Sequence, residues 1–210
     1  MARKTGSSGA KTQQAIRAAG LKLIHAHGYE GMSLRQLAAE VGLQQGSLYN
    51  HIRTKQDLLM DLLRSHMLDL LQALDQELAG IKEPLARLRT FIAFHLHYHM
   101  TRQAEVFVIN FELRSLEPQN YTEIIALRQR YEKSLAEILA AGMRDKSLRR
   151  ADIQIASYAL LAMLTGICTW YRPEGRLSDA EIVGVHTDFA LRGLLPTDAI
   201  PIKSRRGSKS

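Results

Sequence analysis

The stretch SLRQLAAEVGLQQGSLYNHI, Ser33 to Ile52, decides the fold. Apolar residues stand at 34, 37, 38 and 41, then at 43, 48 and 52, with Gly42 between the two runs. That spacing predicts a short helix over Leu34–Val41, capped by Ser33, and a second over Gln45–His51. Gly42 permits the tight corner between them. Leu37, Ala38, Val41, Leu43, Leu48 and Ile52 are expected to share a small core, with Ala38 small enough for close approach. Gln44, Gln45, Ser47, Tyr49 and Asn50 are left facing outward. Two short helices, a tight turn and a polar outer face make a helix-turn-helix. The outward groups suit a nucleic-acid groove. Amides pair with base edges, hydroxyls meet phosphates, and a tyrosine has an apolar ring with a polar tip.

The flanks extend this reading. Upstream, Ala15, Ile16, Ala19, Leu23 and Ile24 form the stripe of a helix over Lys11–His27, ended by Gly28. Downstream, Thr54 opens a long helix with Asp57 in capping-box spacing, and leucines at 58, 59, 62, 63, 70, 71 and 74 carry it toward Gly80. Further helices are expected at about 84–100, 103–115, 119–142, 152–171 and 178–193, broken at Pro84, Pro118, DKSLRRAD and RPEGRLSD. Strand-like alternation is absent. The fold class is therefore all-α: an N-terminal three-helix head, residues 1–56, a larger helical body, 57–196, and a flexible basic tail, 197–210.

Composition sets the bounds. Hydrophobic residues make up 46% of the 210, enough for a core. The net charge of +7 is concentrated at the start: residues 1–58 hold eight Lys and Arg against three Asp and Glu, the remainder twenty against eighteen. That asymmetry fits an N-terminal part that binds a polyanion. The single cysteine, Cys168, excludes an intrachain disulfide, fits a reducing cytoplasm and is expected to be an inert core thiol. MARKTGSSGAKTQQ has no apolar run behind its charges, so no secretory signal is expected. Ile153–Tyr171 carries no charge, and a buried helix rather than a membrane span is expected there.

Residues 10–60 closely resemble the DNA-binding segment of the TetR family of bacterial repressors. The resemblance rests on Ser33-Leu34, Leu37-Ala38, Val41-Gly42-Leu43, Gly46-Ser47-Leu48-Tyr49, His51, and Lys55 ahead of Asp57-Leu58-Leu59. Ile52 stands where the family usually has phenylalanine, and Gln44 where Ser or Thr is usual. The resemblance implies a homodimer on an operator in double-stranded DNA, a small-molecule effector in the body, and pairing of the last two long helices across the two-fold axis. It implies no cofactor. The expected DNA-binding residues are Ser33, Arg35, Gln44, Gln45, Ser47, Tyr49, Asn50, His51, Thr54 and Lys55. Ser33 and Thr54 sit at helix N-termini, where free N–H groups favour phosphate.

Effector residues are expected among Phe94, His95, Tyr98, Phe107 and Phe111, although aromatics at helical spacing also read as plain core. In FHLHYHM only His95 and His99 share a helix face, and no metal site is expected without a further ligand. TWYRPEGRLS, residues 169–178, has two readings: a helix stop with solvated charges, or a mouth where Arg172 and Arg176 meet an anionic ligand beside Trp170. The second is similar to the TetR-type repressors that respond to acyl-coenzyme A thioesters. Three functions stay open: a repressor released by such a thioester, one released by a neutral hydrophobic compound, and an effector-independent activator or architectural protein. No Ser-His-Asp or Cys-His arrangement, glycine-rich phosphate loop or metal set points to an enzyme.

Overall fold

The computed structural model describes residues 6–196, with side chains from residue 9. The expected basic tail at 197–210 lies outside the described residues, as do the first five. The elements are α1 (Gly6–Gly31), α2 (Leu34–Glu40), α3 (Gln45–Leu48), α4 (Lys55–Leu78), α5 (Pro84–Thr101), α6 (Gln103–Phe111), a 3-10 turn (Leu113–Ser115), α7 (Pro118–Arg144), α8 (Ile153–Thr165), α9 (Ile167–Trp170) and α10 (Asp179–Leu194). No strand occurs among the described residues, in agreement with the all-α reading.

Local chemistry sets most of the boundaries. Gly28, at φ 72° and ψ 164°, interrupts α1 where the sequence ends that helix. Ser33 and Gln36 form a reciprocal capping box on α2, and Ser178 with Glu181 does the same for α10. The Asp57 amide donates to Thr54 Oγ1 at 3.0 Å, and the Ile155 amide to Asp152 Oδ1 at 2.9 Å. Each satisfies an amide that has no partner inside its helix.

Three expected helix extents need correction. The third helix ends at Leu48, and Tyr49–His51 continue as a turn. The helix at 103–115 ends at Phe111 and finishes as the 3-10 turn. The segment at 152–171 divides after Thr165, although Gly166 keeps helical angles of −54° and −20°. There the Gly166 carbonyl accepts from Thr169 Oγ1 at 2.8 Å and from the Thr169 amide at 3.2 Å, an i+3 pattern that tightens the chain.

The chain packs as two compact units. Among the described residues, one comprises those up to Ala73 with Tyr98–Tyr131, the other Leu74–His97 with those from Glu132 on. In the first, Ile24, Met32, Leu37, Leu48, Leu58, Leu59 and Leu63 are fully buried. Gly20 lets α1 lie directly on α4, since a Cβ there would stand 2.8 Å from Leu58 Cδ2. Ala15, expected on the apolar stripe of α1, is exposed. In the second unit Leu88, Phe91, Ile92, Leu96, Leu135, Leu139, Leu164 and Ile167 form the core.

Within one chain α8, expected to be a buried helix and to pair across a two-fold axis, is mostly exposed. Only 22% of Ile153–Trp170 is buried, although the segment is long and apolar enough by composition to cross a membrane. Ser157, Leu160 and Leu164 face the interior, while Ile155 and Tyr158 face out. α10 repeats the division, with Ile182, Ala190, Leu191 and Leu194 inward and Val185 and Phe189 outward. Between the two helices lies an apolar cleft of about 330 Å³, lined among others by Ile155, Ala159, Met163 and Phe189.

Candidate DNA interface and effector region

The helix-turn-helix stands on a small apolar underside. Leu37, Ala38, Leu48 and Ile52 are buried, and Val41 and Leu43 are half-buried at the rim. The corner is closed by the Leu43 amide donating to the Ala38 carbonyl at 2.9 Å, with Gly42 at φ 67°. A left-handed residue at this position favours glycine. Past α3, the His51 and Ile52 amides both return to the Leu48 carbonyl, at 2.9 and 3.1 Å. Residues 44–52 are therefore linked by one continuous run of backbone hydrogen bonds, although only four of them are α-helical.

The predicted site residues divide by exposure and by occupation. Arg35, Gln44, Gln45, Ser47, Tyr49 and Asn50 are exposed on one short segment and its neighbour. Gln44 makes no side-chain cap to α3, so its amide stays available. Ser33 and Thr54 are occupied as caps. Lys55 is engaged within the chain: its Nζ lies 4.5 Å over the Tyr29 ring and donates to the Glu30 carbonyl at 3.4 Å. His51 is half-buried beside the outward face.

A polar network that the sequence did not reveal anchors this segment. Gln56 Nε2 donates to Tyr29 Oη at 3.0 Å and to the Ser115 carbonyl at 2.5 Å, while Gln56 Oε1 accepts from the Glu117 amide at 3.2 Å. The Tyr29 amide donates to Glu112 Oε1 at 3.0 Å, and Ser115 Oγ to Glu112 Oε2 at 2.8 Å. Arg17 grips Asp61 through Nε and Nη2, both at 2.5 Å, tying α1 to α4. That pairing also raises the pKa of the Arg17 guanidinium. The signal available in sequence was weak: polar residues inside otherwise apolar helical patterns, with partners up to 83 positions away.

The expected effector residues fall in both units. In the first, Phe107 and Phe111 stack at 4.4 Å, and Phe107 meets the edge of His25 at 5.0 Å. Phe111 is exposed rather than core. Tyr98 is buried against His66, 5.6 Å between ring centroids, under the Arg102 guanidinium at 4.1 Å. Burial pushes its phenol up to about 12. In the second unit His95 Nε2 lies 3.1 Å from Thr165 Oγ1, Phe94 is half-buried, and Trp170 stacks on His186 at 5.9 Å. Arg172 and Arg176 are exposed, Arg172 also donating to the Tyr171 carbonyl at 2.8 Å. Cys168 is half-buried, and its thiol is raised by burial. Among the described residues no cluster of three or more His, Cys, Asp or Glu is arranged to hold a metal.

Residues 16–62 match the model of the bacterial regulatory proteins of the tetR family, and residues 82–194 match the tetracyclin repressor-like C-terminal domain. The chain belongs to the TetR family. It is a DNA-binding transcription regulator, and the helix-turn-helix at Leu34–Leu48 lies within the matched head. Among curated TetR-family relatives, the HTH-type transcriptional repressor KstR2 of Rhodococcus jostii (strain RHA1) is 24% identical, covering 90% of this chain and 93% of its own. Among solved structures, the TetR-family regulator PfmR of Thermus thermophilus is 30% identical, with a TM-score of 0.77 over 84% of this chain and 97% of its own. AibR in complex with isovaleryl coenzyme A and operator DNA is 26% identical, with a TM-score of 0.77 over 85% and 97%.

Proposed function

We propose that this TetR-family chain is a transcriptional repressor that binds a palindromic operator as a homodimer and is released by a small effector, an acyl-coenzyme A thioester being the first candidate. The observation that carries the reading is the exposed polar run of Gln44, Gln45, Ser47, Tyr49 and Asn50, set over a buried apolar underside. Such a run suits the major groove, where amides read base edges and hydroxyls position the backbone. Arg35 and His51 flank it as phosphate contacts. Ser33, Thr54 and Lys55 act at one remove, by setting the helices and the turn. The task of DNA binding falls to residues 1–56, and effector binding and dimerisation to residues 57–196.

The second copy covers the outer apolar face of α8 and α10. Ile155 and Phe189 are 65% and 68% exposed, values that a soluble chain rarely leaves uncovered in one patch. A membrane is a poor alternative cover. Ser157, Leu160 and Leu164 of α8 pack into the interior of their own chain, so the helix does not present an apolar surface to lipid on every side. The chain then works where the DNA is, in the cytoplasm.

Arg172 and Arg176 offer two guanidinium groups to the phosphates of coenzyme A, beside the half-exposed Trp170 ring. The AibR likeness supports a thioester, because that structure holds isovaleryl coenzyme A. An effector in the body would shift α4, and Arg17–Asp61 and the Gln56 network would carry α1 and the helix-turn-helix with it. Half-sites lie about 34 Å apart, so a small change in head spacing costs affinity steeply.

The test is a gel-shift on DNA upstream of the chain's own gene, at physiological salt, with a panel of acyl-coenzyme A esters. Release by one ester is expected, with R172A/R176A needing about tenfold more ester and binding DNA as before. Specific binding that no ester disturbs would move the effector to neutral hydrophobic compounds. Operator affinity untouched by every ligand class would overturn release by an effector.

A further inference from the structure

We infer that the cleft between α1, α4 and α6 is a second small-molecule site, and that it takes an amphipathic organic cation, an amine with a short apolar body. The cleft has a volume of about 350 Å³, within the range of small-molecule pockets. None of the residues expected to bind effector lines it.

Its walls divide by chemistry. Leu21, Leu62, Leu63, Val108 and Ile109 supply an apolar floor. Gln14, Ser65, His66, Asp69 and Glu105 supply the polar side, and the two carboxylates come from α4 and α6. Arg17 also borders the cleft, but Asp61 holds it at both Nε and Nη2, so its charge is already neutralised. Arg102 approaches Glu105 only to 3.8 Å, and its guanidinium lies over the Tyr98 ring. Asp69 makes no hydrogen bond or ion pair with the described residues, yet it stands close enough to act electrostatically on Arg17 and Tyr98. His66 is only 6% exposed, and its Nδ1 lies 3.3 Å from Glu105 Oε2.

The balance over the floor is therefore one carboxylate without a cation and a second only partly shared. A ligand anion meets repulsion here. A purely apolar ligand covers the floor but strips water from carboxylates and gives nothing back. An ammonium group on an apolar chain satisfies both walls: the nitrogen between Asp69 and Glu105, the chain along Leu62, Leu63 and Val108. Such a ligand touches α1 of the DNA-binding segment, α4 and α6 at once. Any change in their packing on binding DNA would couple the two equilibria.

The experiment is isothermal titration calorimetry of the full-length protein, without DNA, using n-octylamine, 1-octanol and octanoate. Chain length is constant across the three, so only the head group varies. Octylamine is expected to saturate at one molecule per protomer and to bind at least tenfold more tightly than the alcohol or the acid. D69N is expected to weaken it about threefold, as for a part-exposed ion pair, and D69N/E105Q about tenfold. Methyl resonances of Leu62 and Val108 should shift with octylamine and remain still with octanoate. Equal affinity for the three probes, no saturable binding of octylamine, or unchanged affinity in D69N/E105Q would each overturn the proposal. Should the double variant melt early, D69N at an exposed position keeps the test alive. Since DNA and thioesters take no part, failure here leaves operator release untouched.

Discussion

Two helical surfaces of this chain face outward, and they are chemical opposites. Around α3 the outward groups are amides, hydroxyls and one phenol: Gln44, Gln45, Ser47, Asn50 and Tyr49. On α8 and α10 they are Ile155, Tyr158, Val185 and Phe189. Accessibility alone does not separate them, since Tyr49 and Tyr158 are both 46% exposed. Their surroundings do. A polar surface over a small rigid core can exchange water for base edges and phosphates. An apolar surface gains only by exclusion of water, which in the proposed dimer a second copy supplies through the same patch turned on itself.

The contrast can be broken most forcefully on the apolar side. F189D sets a charge in the proposed contact and should leave a monomer in sedimentation velocity at micromolar concentration. Loss of operator binding of about 100-fold or more should follow, as expected when a buried interfacial anchor is replaced. Dimers of unchanged strength would move the interface elsewhere. On the other side, L37A empties the underside of the helix-turn-helix and should cost about 2–5 kcal/mol in urea unfolding, where a surface residue of α2 such as Arg35 would cost almost nothing.

Burial also sharpens the contrast through pH. The Tyr98 phenol sits at about 12 because the packed unit desolvates its charged form. Stability tied to the neutral phenol is therefore complete below pH 10 and lost as pH rises toward 12. The loss amounts to about 2 kcal/mol. Y98F should remove that part of the alkaline limb, leaving the parts due to Tyr29 and Tyr131, raised by burial, and Tyr171, raised by its hydrogen bond to Asp179.

Smaller effects belong to the polar surface. N50A and Q45A should each weaken specific operator binding by about 1–2 kcal/mol and relax discrimination at one base pair, with the slope of affinity against salt unchanged. Anisotropy titrations at several salt concentrations read both quantities. R64A removes the exposed pair with Glu123, at 2.5 and 2.7 Å, and should cost no more than about 1 kcal/mol. Since Arg64 holds the Glu123 carboxyl below its ordinary value, that small contribution is present at neutral pH and fades as pH falls through the acid range.

How much of this was legible in the sequence follows the reach of each interaction. Gly28, Ser33, Gly42, Thr54, Pro118 and Ser178 act within four residues, so the element boundaries they set could be read directly. The polar face of α3 was legible because it depends only on helical period. The break after Thr165 was not, since Gly166 keeps helical angles and the choice turns on how the Gly166 carbonyl is shared. Nor was the network of Tyr29, Gln56 and Glu112, whose partners lie 27 to 83 positions apart. The cleft of Asp69 and Glu105 was hidden for the same reason. One clue was present: His66 falls on the stripe of α4 shared by Leu59, Leu63 and Leu70, where a titratable group has to find a partner. How much of α8 its own chain covers was not legible, because an uncharged helix looks the same in sequence whether its own chain or a second copy buries it.

The most direct measurement is a stoichiometric titration of the full-length protein onto a labelled operator duplex, selected from a random library, against a scrambled duplex of equal length. Two protomers per palindromic site, or a multiple of two, are expected, with at least 1,000-fold preference over the scrambled duplex at physiological salt. One protomer per site, or equal affinity for both duplexes, would contradict a dimeric operator-binding repressor.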